Sequence, residues 1–444
     1  MEAATHYAAE FERAEARRAD GQPLWLAALQ REALARFAKL GFPTPRQEAW
    51  KYTNLARYAQ VPYRADKPNG AVISRSDIEE RVSPAFVCNL FVVVDGRFAP
   101  QLSTPAAFAA STPRAHSLKE RLQEASEAVQ AQLARGAPWQ EDAFTALNTA
   151  FWEDGAYLEI PRGTAVDAPI HLVFVQTPSG EPRITHPRLL LCAAPQSRAL
   201  VIEDYVSLGS GPRFTNAVAE VFVGAGAQLD LVRLQREAED VVHISRLAVQ
   251  QESNSRFAGH SFSFGGELVR NDIALALSGT GAECTLNGLF VTAGQQHSDQ
   301  QTEIRHVSPH CTSRELYKGI LDGRSQGVFQ GKIVVERDAQ HSDALQQNKN
   351  LLLSDAATID TKPQLEIYAD DVQCRHGSTI GQLEEESLFY LRSRGIALEA
   401  ARRLLTRAFA AEIFAAVPNE PLREGLGDLL DAHFPSGVYS EHAA

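Results

Sequence analysis

The run Ile273-Ala-Leu-Ala-Leu277 puts its large apolar side chains at every second position. In a strand successive side chains point to opposite faces, so Ile273, Leu275 and Leu277 share one buried face. The same character extends from about Ala156 to Val372, where short β-rich runs alternate with Gly, Asn, Asp and Ser breaks. The runs are Ile170–Val175, Leu189–Cys192, Leu200–Tyr205, Val218–Val223, Leu229–Leu234, Ile244–Val249 and Phe257–Phe264. Cys284–Val291, Val328–Val335, Asn350–Leu353 and Gln364–Tyr368 continue the series. No helix-length amphipathic pattern interrupts them, which counts against parallel βαβ units. The residues alone therefore predict a mainly β core: a sandwich, a barrel, or a solenoid of stacked coils. The spacing between runs is irregular and demonstrates no repeat.

Helical patterns flank this core. Ala3 to Ala19 is rich in helix formers, and Leu26, Leu29, Leu34, Phe37 and Leu40 recur at helical spacing until Gly41 and Pro43 stop them. Leu90–Val94 followed by Asp95-Gly96 reads as a strand and a hairpin turn. Helical pattern returns over about Ser117–Phe151, broken near Gly136-Ala-Pro138. At the other end, Leu388, Phe389 and Leu391 lead to a break at Gly395. Leu405, Phe409, Ile413, Phe414 and Val417 then fall on one helix face up to Pro418, with Arg402, Arg403 and Arg407 nearby. Such a face packs on the core or docks a partner. The divisions are residues 1–155, 156–383 and 384–444.

Composition narrows the functions. A net charge of -12 repels nucleic acid and anionic membrane. No apolar run approaches the roughly 20 residues of a membrane helix, and the acidic N-terminus carries no export signal. The chain reads as cytoplasmic. Its five cysteines, Cys88, Cys192, Cys284, Cys311 and Cys374, are widely spaced and form no disulfide framework. Cys88, Cys192 and Cys284 sit in apolar runs and read as small core residues. Cys311 follows His306 and His310, but Pro309 and the polar surroundings favour an exposed loop over a metal site. Gly224-Ala-Gly226 lacks the rest of a dinucleotide fingerprint, and the Gly-Lys pair at Gly331-Lys332 is no Walker loop. Hydrolysis of ATP is not expected of this chain.

The stretch Leu351-Leu-Leu-Ser-Asp355 through Asp360-Thr-Lys-Pro-Gln-Leu-Glu-Ile-Tyr-Ala-Asp-Asp-Val372, then Cys374-Arg-His-Gly377, closely resembles the SufB/SufD family of iron–sulfur cluster assembly scaffolds. Gly381-Gln-Leu383 and Leu388–Ile396 continue the likeness. Upstream, Cys284-Thr-Leu-Asn-Gly288, Cys311-Thr-Ser-Arg-Glu315 and Tyr317-Lys-Gly319 look like the same family, and Trp50-Lys-Tyr-Thr53 points to its SufD branch. The resemblance implies a right-handed parallel β-helix flanked by N- and C-terminal helical regions. It implies a complex with a SufB-like subunit and a SufC-like ABC ATPase, the latter docking on the C-terminal helices through Leu405, Phe409, Ile413 and Phe414. It also implies that His376 and Cys374 contribute to the site where a cluster first forms.

The chemistry fits. Residues two apart in a strand point one way, and thiolate and imidazole are both ligands for cluster iron. Two ligands do not hold a cluster, so no cofactor is expected to stay on the chain alone; a transient cluster belongs to the complex, with a partner supplying further ligands. Pairing of two copies and association of a flavin stay open. The competing readings are a cytoplasmic β-solenoid hydrolase or lyase acting on polysaccharide, and a self-sufficient iron–sulfur carrier, which the cysteine spacing disfavours.

Overall fold

Strand after strand, the chain alternates between two sheets, each strand pairing in parallel with the next but one in sequence. The computed structural model describes residues 2–18, 22–65, 73–82, 89–104 and 114–434. Cys88 lies outside the described residues. The result is a mainly β fold, a solenoid of about eight turns with helices at both ends. The coil takes about 30 residues, so that Arg256, Glu283, Thr312, Asp343 and Gln373 stand one above the next.

One interior cluster runs through the coils. Ile273, Leu275, Leu286 and Ile333 are buried in it, and Leu365 packs against it. Polar residues also line the interior, which explains two strands that hydropathy does not reveal. His297–His306 and Thr312–Leu321 carry Gln300, Thr302, Ser313 and Glu315 at buried positions. Some of these needs are met across the rungs: Ser245 Oγ donates to Asn271 Oδ1 at 2.7 Å, and Asn271 Nδ2 donates to Gln300 Oε1 at 3.2 Å, whereas Thr302 Oγ1 and Glu315 Oε1 are buried without a partner among the described residues. Buried polar groups satisfied in this way cost little.

The irregular loops conceal a regular turn. Gln196, Gly226, Asn254, Gly281, His310 and His341 all have positive φ, between 54° and 72°. They stack, each donating its backbone N–H to the turn of the following coil: Asn254 to Thr280 O, Gly281 to Pro309 O and His310 to Gln340 O at 2.9–3.2 Å. The residue after each is small and buried: Ser197, Ala227, Ser255, Ala282, Cys311 and Ser342. Cys311 is thus a core residue, not part of an exposed loop. The loop reading fails because only residues 307–310 leave the core, and the chain is back in it at Cys311. His310 itself is exposed and stacks on His341 at 4.7 Å between ring centroids. A left-handed conformation costs a non-glycine residue about 1–2 kcal/mol, more for a β-branched one. His310→Val should therefore lower stability by about 1–2 kcal/mol, whereas His310→Gly should stay within about 0.5 kcal/mol of the parent. Equal losses in denaturant melts of both variants would assign the cost to the ring stack instead of the backbone.

The Asp95-Gly96 turn, with φ of 46° and 80°, joins Asn89–Val94 to Arg97–Phe98. Helices Glu2–Arg18, Leu24–Leu40 and Ala143–Phe151 pack with Trp50, Phe214, Val242 and Ile244 against the outer face of one sheet. The Trp50–Thr53 segment is clamped there. The Arg270 guanidinium lies 3.7 Å from the Trp50 ring centroid and donates to Ala49 O at 2.8 Å, while Thr53 Oγ1 donates to Asp299 Oδ2 at 2.6 Å. Gly224 and Gly226 occupy a turn between strands, and Gly331-Lys332 lies within the strand Gln326–Val335.

At the C-terminus, Glu385–Ser393 begins on its acidic turn and ends at Gly395, where φ is 86°. Helices Leu398–Ala415 and Glu420–His433 then lie on the outer face of the other sheet, covering Val232, Phe262, Leu289, Val291 and Ile320. Among the described residues no helix is long and apolar enough to cross a membrane.

Candidate functional site

The solenoid ends at two strands, Thr358–Ile367 in one sheet and Gln373–Gly381 in the other, each last in its sheet. Pro363 is tolerated in the first because an edge strand leaves one row of backbone groups unpaired. The outer sides of both strands are open, and Ile367, Tyr368 and Ile380 are 41–59% exposed. An edge strand's free row of backbone donors and acceptors is open to pairing with another chain.

Cys374 and His376 lie on this terminal strand, directly above Ala344 and Gln346 of the strand Asp343–Leu352. Ala344 belongs to the interior cluster and Cys374 packs against it, so the face that carries Cys374 and His376 continues the lining of the solenoid. Two residues apart along a strand, their Cα atoms are separated by about 7 Å. Cys374 is half-buried, and its thiol is pushed above its ordinary range by burial and by the Asp343 carboxylate. It is a thiol at neutral pH, to be deprotonated only by a metal or a cationic neighbour. His376 is exposed and makes no hydrogen bond to a described residue. Among the described residues, no three of His, Cys, Asp and Glu gather as a metal site. On the inward face of this strand the ligand chemistry is one imidazole, His376, and one reluctant thiol, Cys374.

Other cysteines are less available. Burial and the nearby Glu315 push the Cys284 thiol well up, and burial pushes that of Cys192 to about 12. The half-buried Cys192 donates to Gln132 Oε1 at 3.0 Å.

The helix face that the sequence offered for docking is mostly spent within the chain. Ile413 and Phe414 are buried against the sheet, with Phe414 and Phe262 rings 6.0 Å apart. Phe409 is half-buried under Lys318, which donates to its carbonyl at 2.7 Å and pairs with Glu412 at 2.7 Å. Leu405 is half-buried as well. The amphipathic pattern could not say which surface the face would cover. Phe389, Tyr390 and Leu404, by contrast, are 51–73% exposed.

Several residues of the quoted motifs turn out to be structural. Tyr317 lies directly above Gly288, where a Cβ would fall 2.1 Å from the Tyr317 ring. Sequence reasoning missed two buried polar residues beneath His376, namely Gln346 and Glu315. Only the strand register brings them to the site.

Residues 174–409 match the model of the SufBD core domain of the SUF system for FeS cluster assembly, and residues 1–172 match the SufBD N-terminal region. An iron–sulfur cluster assembly SufBD family protein of Synechocystis is 33% identical over 391 residues, covering 85% of this chain and 84% of its own. The iron–sulfur cluster assembly protein SufD of Escherichia coli is 31% identical over 411 residues, covering 91% and 92%. SufD of Bacillus subtilis is 25% identical over 433 residues, covering 92% and 94%. With the two family models matching residues 1–172 and 174–409 and such relatives along nearly its whole length, the chain belongs to the SufBD family of iron–sulfur cluster assembly proteins and is SufD-like.

Proposed function

We propose that this chain is a non-catalytic scaffold subunit that joins a SufB-like partner at the open end of its solenoid and receives a SufC-like ABC ATPase on its C-terminal helices. The nascent cluster is the cargo, with His376 and Cys374 contributing ligands and the partner the rest. The supporting observation is the pair of edge strands, each bonded on one side only among the described residues, one of which carries both His376 and Cys374. Edge strands this long are normally covered or charged, and a second solenoid is the kind of partner that covers them. The ATPase-docking surface, in this reading, is the exposed set Phe389, Tyr390 and Leu404, because Ile413 and Phe414 hold the helix to the sheet.

Two substitutions separate the two contacts. Ile380→Lys should lower co-purification with the SufB-like subunit roughly tenfold, by burying a charge at the edge, and leave ATPase binding intact. Leu404→Glu should do the reverse. Both variants should keep the parent circular dichroism. Retention of both partners by both folded variants would refute the proposal.

A further inference from the structure

Gln346 is fully buried, one rung below His376 in the ladder, with Glu315 one rung below it in turn. Its Nε2 donates to Glu315 Oε2 at 2.6 Å, which leaves its Oε1 buried and without a hydrogen-bond partner among the described residues. The opposite wall makes room for it. A Cβ on Gly331 would lie 2.3 Å from Gln346 Nε2. A buried amide oxygen without a donor costs free energy. The next side chain along the column is the His376 imidazole, which can supply an N–H. Resting on the reading of His376 as a cluster ligand, we propose that Gln346, oriented by Glu315, is the positioning residue for His376 and sets which imidazole nitrogen keeps its lone pair for metal.

The logic is that of a hydrogen-bond chain. An ionised Glu315 only accepts, so Gln346 turns its NH2 toward the carboxylate and offers Oε1 to the rung above. That favours a proton on the facing nitrogen of His376 and leaves the other nitrogen free. A protonated Glu315 donates instead, the amide turns over, and its NH2 favours the opposite tautomer. Partners of this kind fix the orientation and basicity of metal-ligating histidines.

Glu315 is suited to both states. Burial pushes its carboxyl up to about 7, against the opposing influence of the nearby Thr302 hydroxyl and the Gln346 hydrogen bond. No cation balances it. Tyr317 on its own strand is neutral, as is Cys284 one strand below. His306, in the opposite sheet and hydrogen-bonded to Ser313 at 2.9 Å, is kept neutral by burial at about 4. The Arg233 guanidinium, three strands below Tyr317 in its column, is paired with Glu203 at 2.8 Å. Phe329, Gly331 and Ile333 of the facing strand carry no charge, and beyond Gln346 come only Cys374 and His376.

The test is nitrogen NMR of the full chain with labelled histidine, the His376 signals being assigned by their loss in His376→Ala. In the parent, the tautomer ratio of His376 should change with an inflection near the pH at which Glu315 titrates. Glu315→Gln should remove that inflection. Gln346→Leu should shift the ratio roughly threefold or more, the worth of one hydrogen bond. Gly331→Ala, which displaces the amide and alters no titrating group, should do the same. An unchanged tautomer ratio of His376 in folded Gln346→Leu and Gly331→Ala would overturn the proposal, even if His376→Ala abolishes cluster production. Conversely, a shifted ratio together with normal cluster production in His376→Ala cells would sink the ligand reading and leave the coupling standing.

Discussion

His376→Ala is expected to fold like the parent, to retain both partner subunits, and to cut cluster production in cells roughly tenfold or more, the loss typical when a group that tunes or holds a metal is removed. Folding should be indifferent because the imidazole is exposed and has no hydrogen-bond partner among the described residues. Removing it breaks no hydrogen bond formed among the described residues. Cys374→Ser should cost less. The Cys374 thiol is already disfavoured as a thiolate by burial, and thiolates are the ligands a partner chain can most readily supply. The measurement is the activity of a cluster-dependent reporter enzyme, read beside co-purification of the complex. A His376→Ala strain with normal reporter activity, or one that fails only because the complex falls apart, would remove this residue from the assembly site.

The parts of the molecule that could be read in advance are those in which one residue carries its own signal. Ile273, Leu275 and Leu277 announce a strand because their inward partners are apolar too. His297–His306 does not, because its inward Gln300 and Thr302 belong to a polar stretch of the interior whose partners, Asn271 and Ser298, lie on the neighbouring coil or elsewhere in the strand. The coil repeat was hidden for a related reason. Its marker is a left-handed turn, filled by Gln, Gly, Asn or His, and these residues share a backbone conformation and no side-chain chemistry. Cys374 and His376 were legible as a pair through the family motif. Gln346 and Glu315 were not, since they reach His376 only through the register of stacked strands. Likewise, helical spacing picked out the buried face of Leu398–Ala415, but periodicity alone does not distinguish a face bound to its own sheet from one awaiting a partner.

The largest effect on stability is expected at Arg188. Its side chain and that of Glu220 are both fully buried and ion-paired. Arg188 also donates to Asn148 Oδ1 at 3.0 Å and Thr149 Oγ1 at 3.2 Å. Glu220 accepts from the backbone N–H groups of Ala134, Gly136 and Ala137 at 2.9–3.2 Å. Asn148 in turn donates to Pro187 O and Asn216 O. One ion pair therefore ties helix Ala143–Phe151 and the turn before it to the strands Arg188–Ala193 and Arg213–Val223. Arg188→Met keeps much of the volume but strands a carboxylate in the interior, which should destabilise the chain by about 3–5 kcal/mol. A lower urea midpoint at unchanged slope is the expected readout, with early hydrogen exchange in residues 131–137. The double variant Arg188→Met/Glu220→Leu should recover part of the loss, because two apolar residues leave no buried charge, although the three backbone donors then lose their acceptor. A single variant that loses less than about 1 kcal/mol would mean that Glu220 escapes to water or takes up a proton at little cost. The pair would then not be what holds the helices to the first coils.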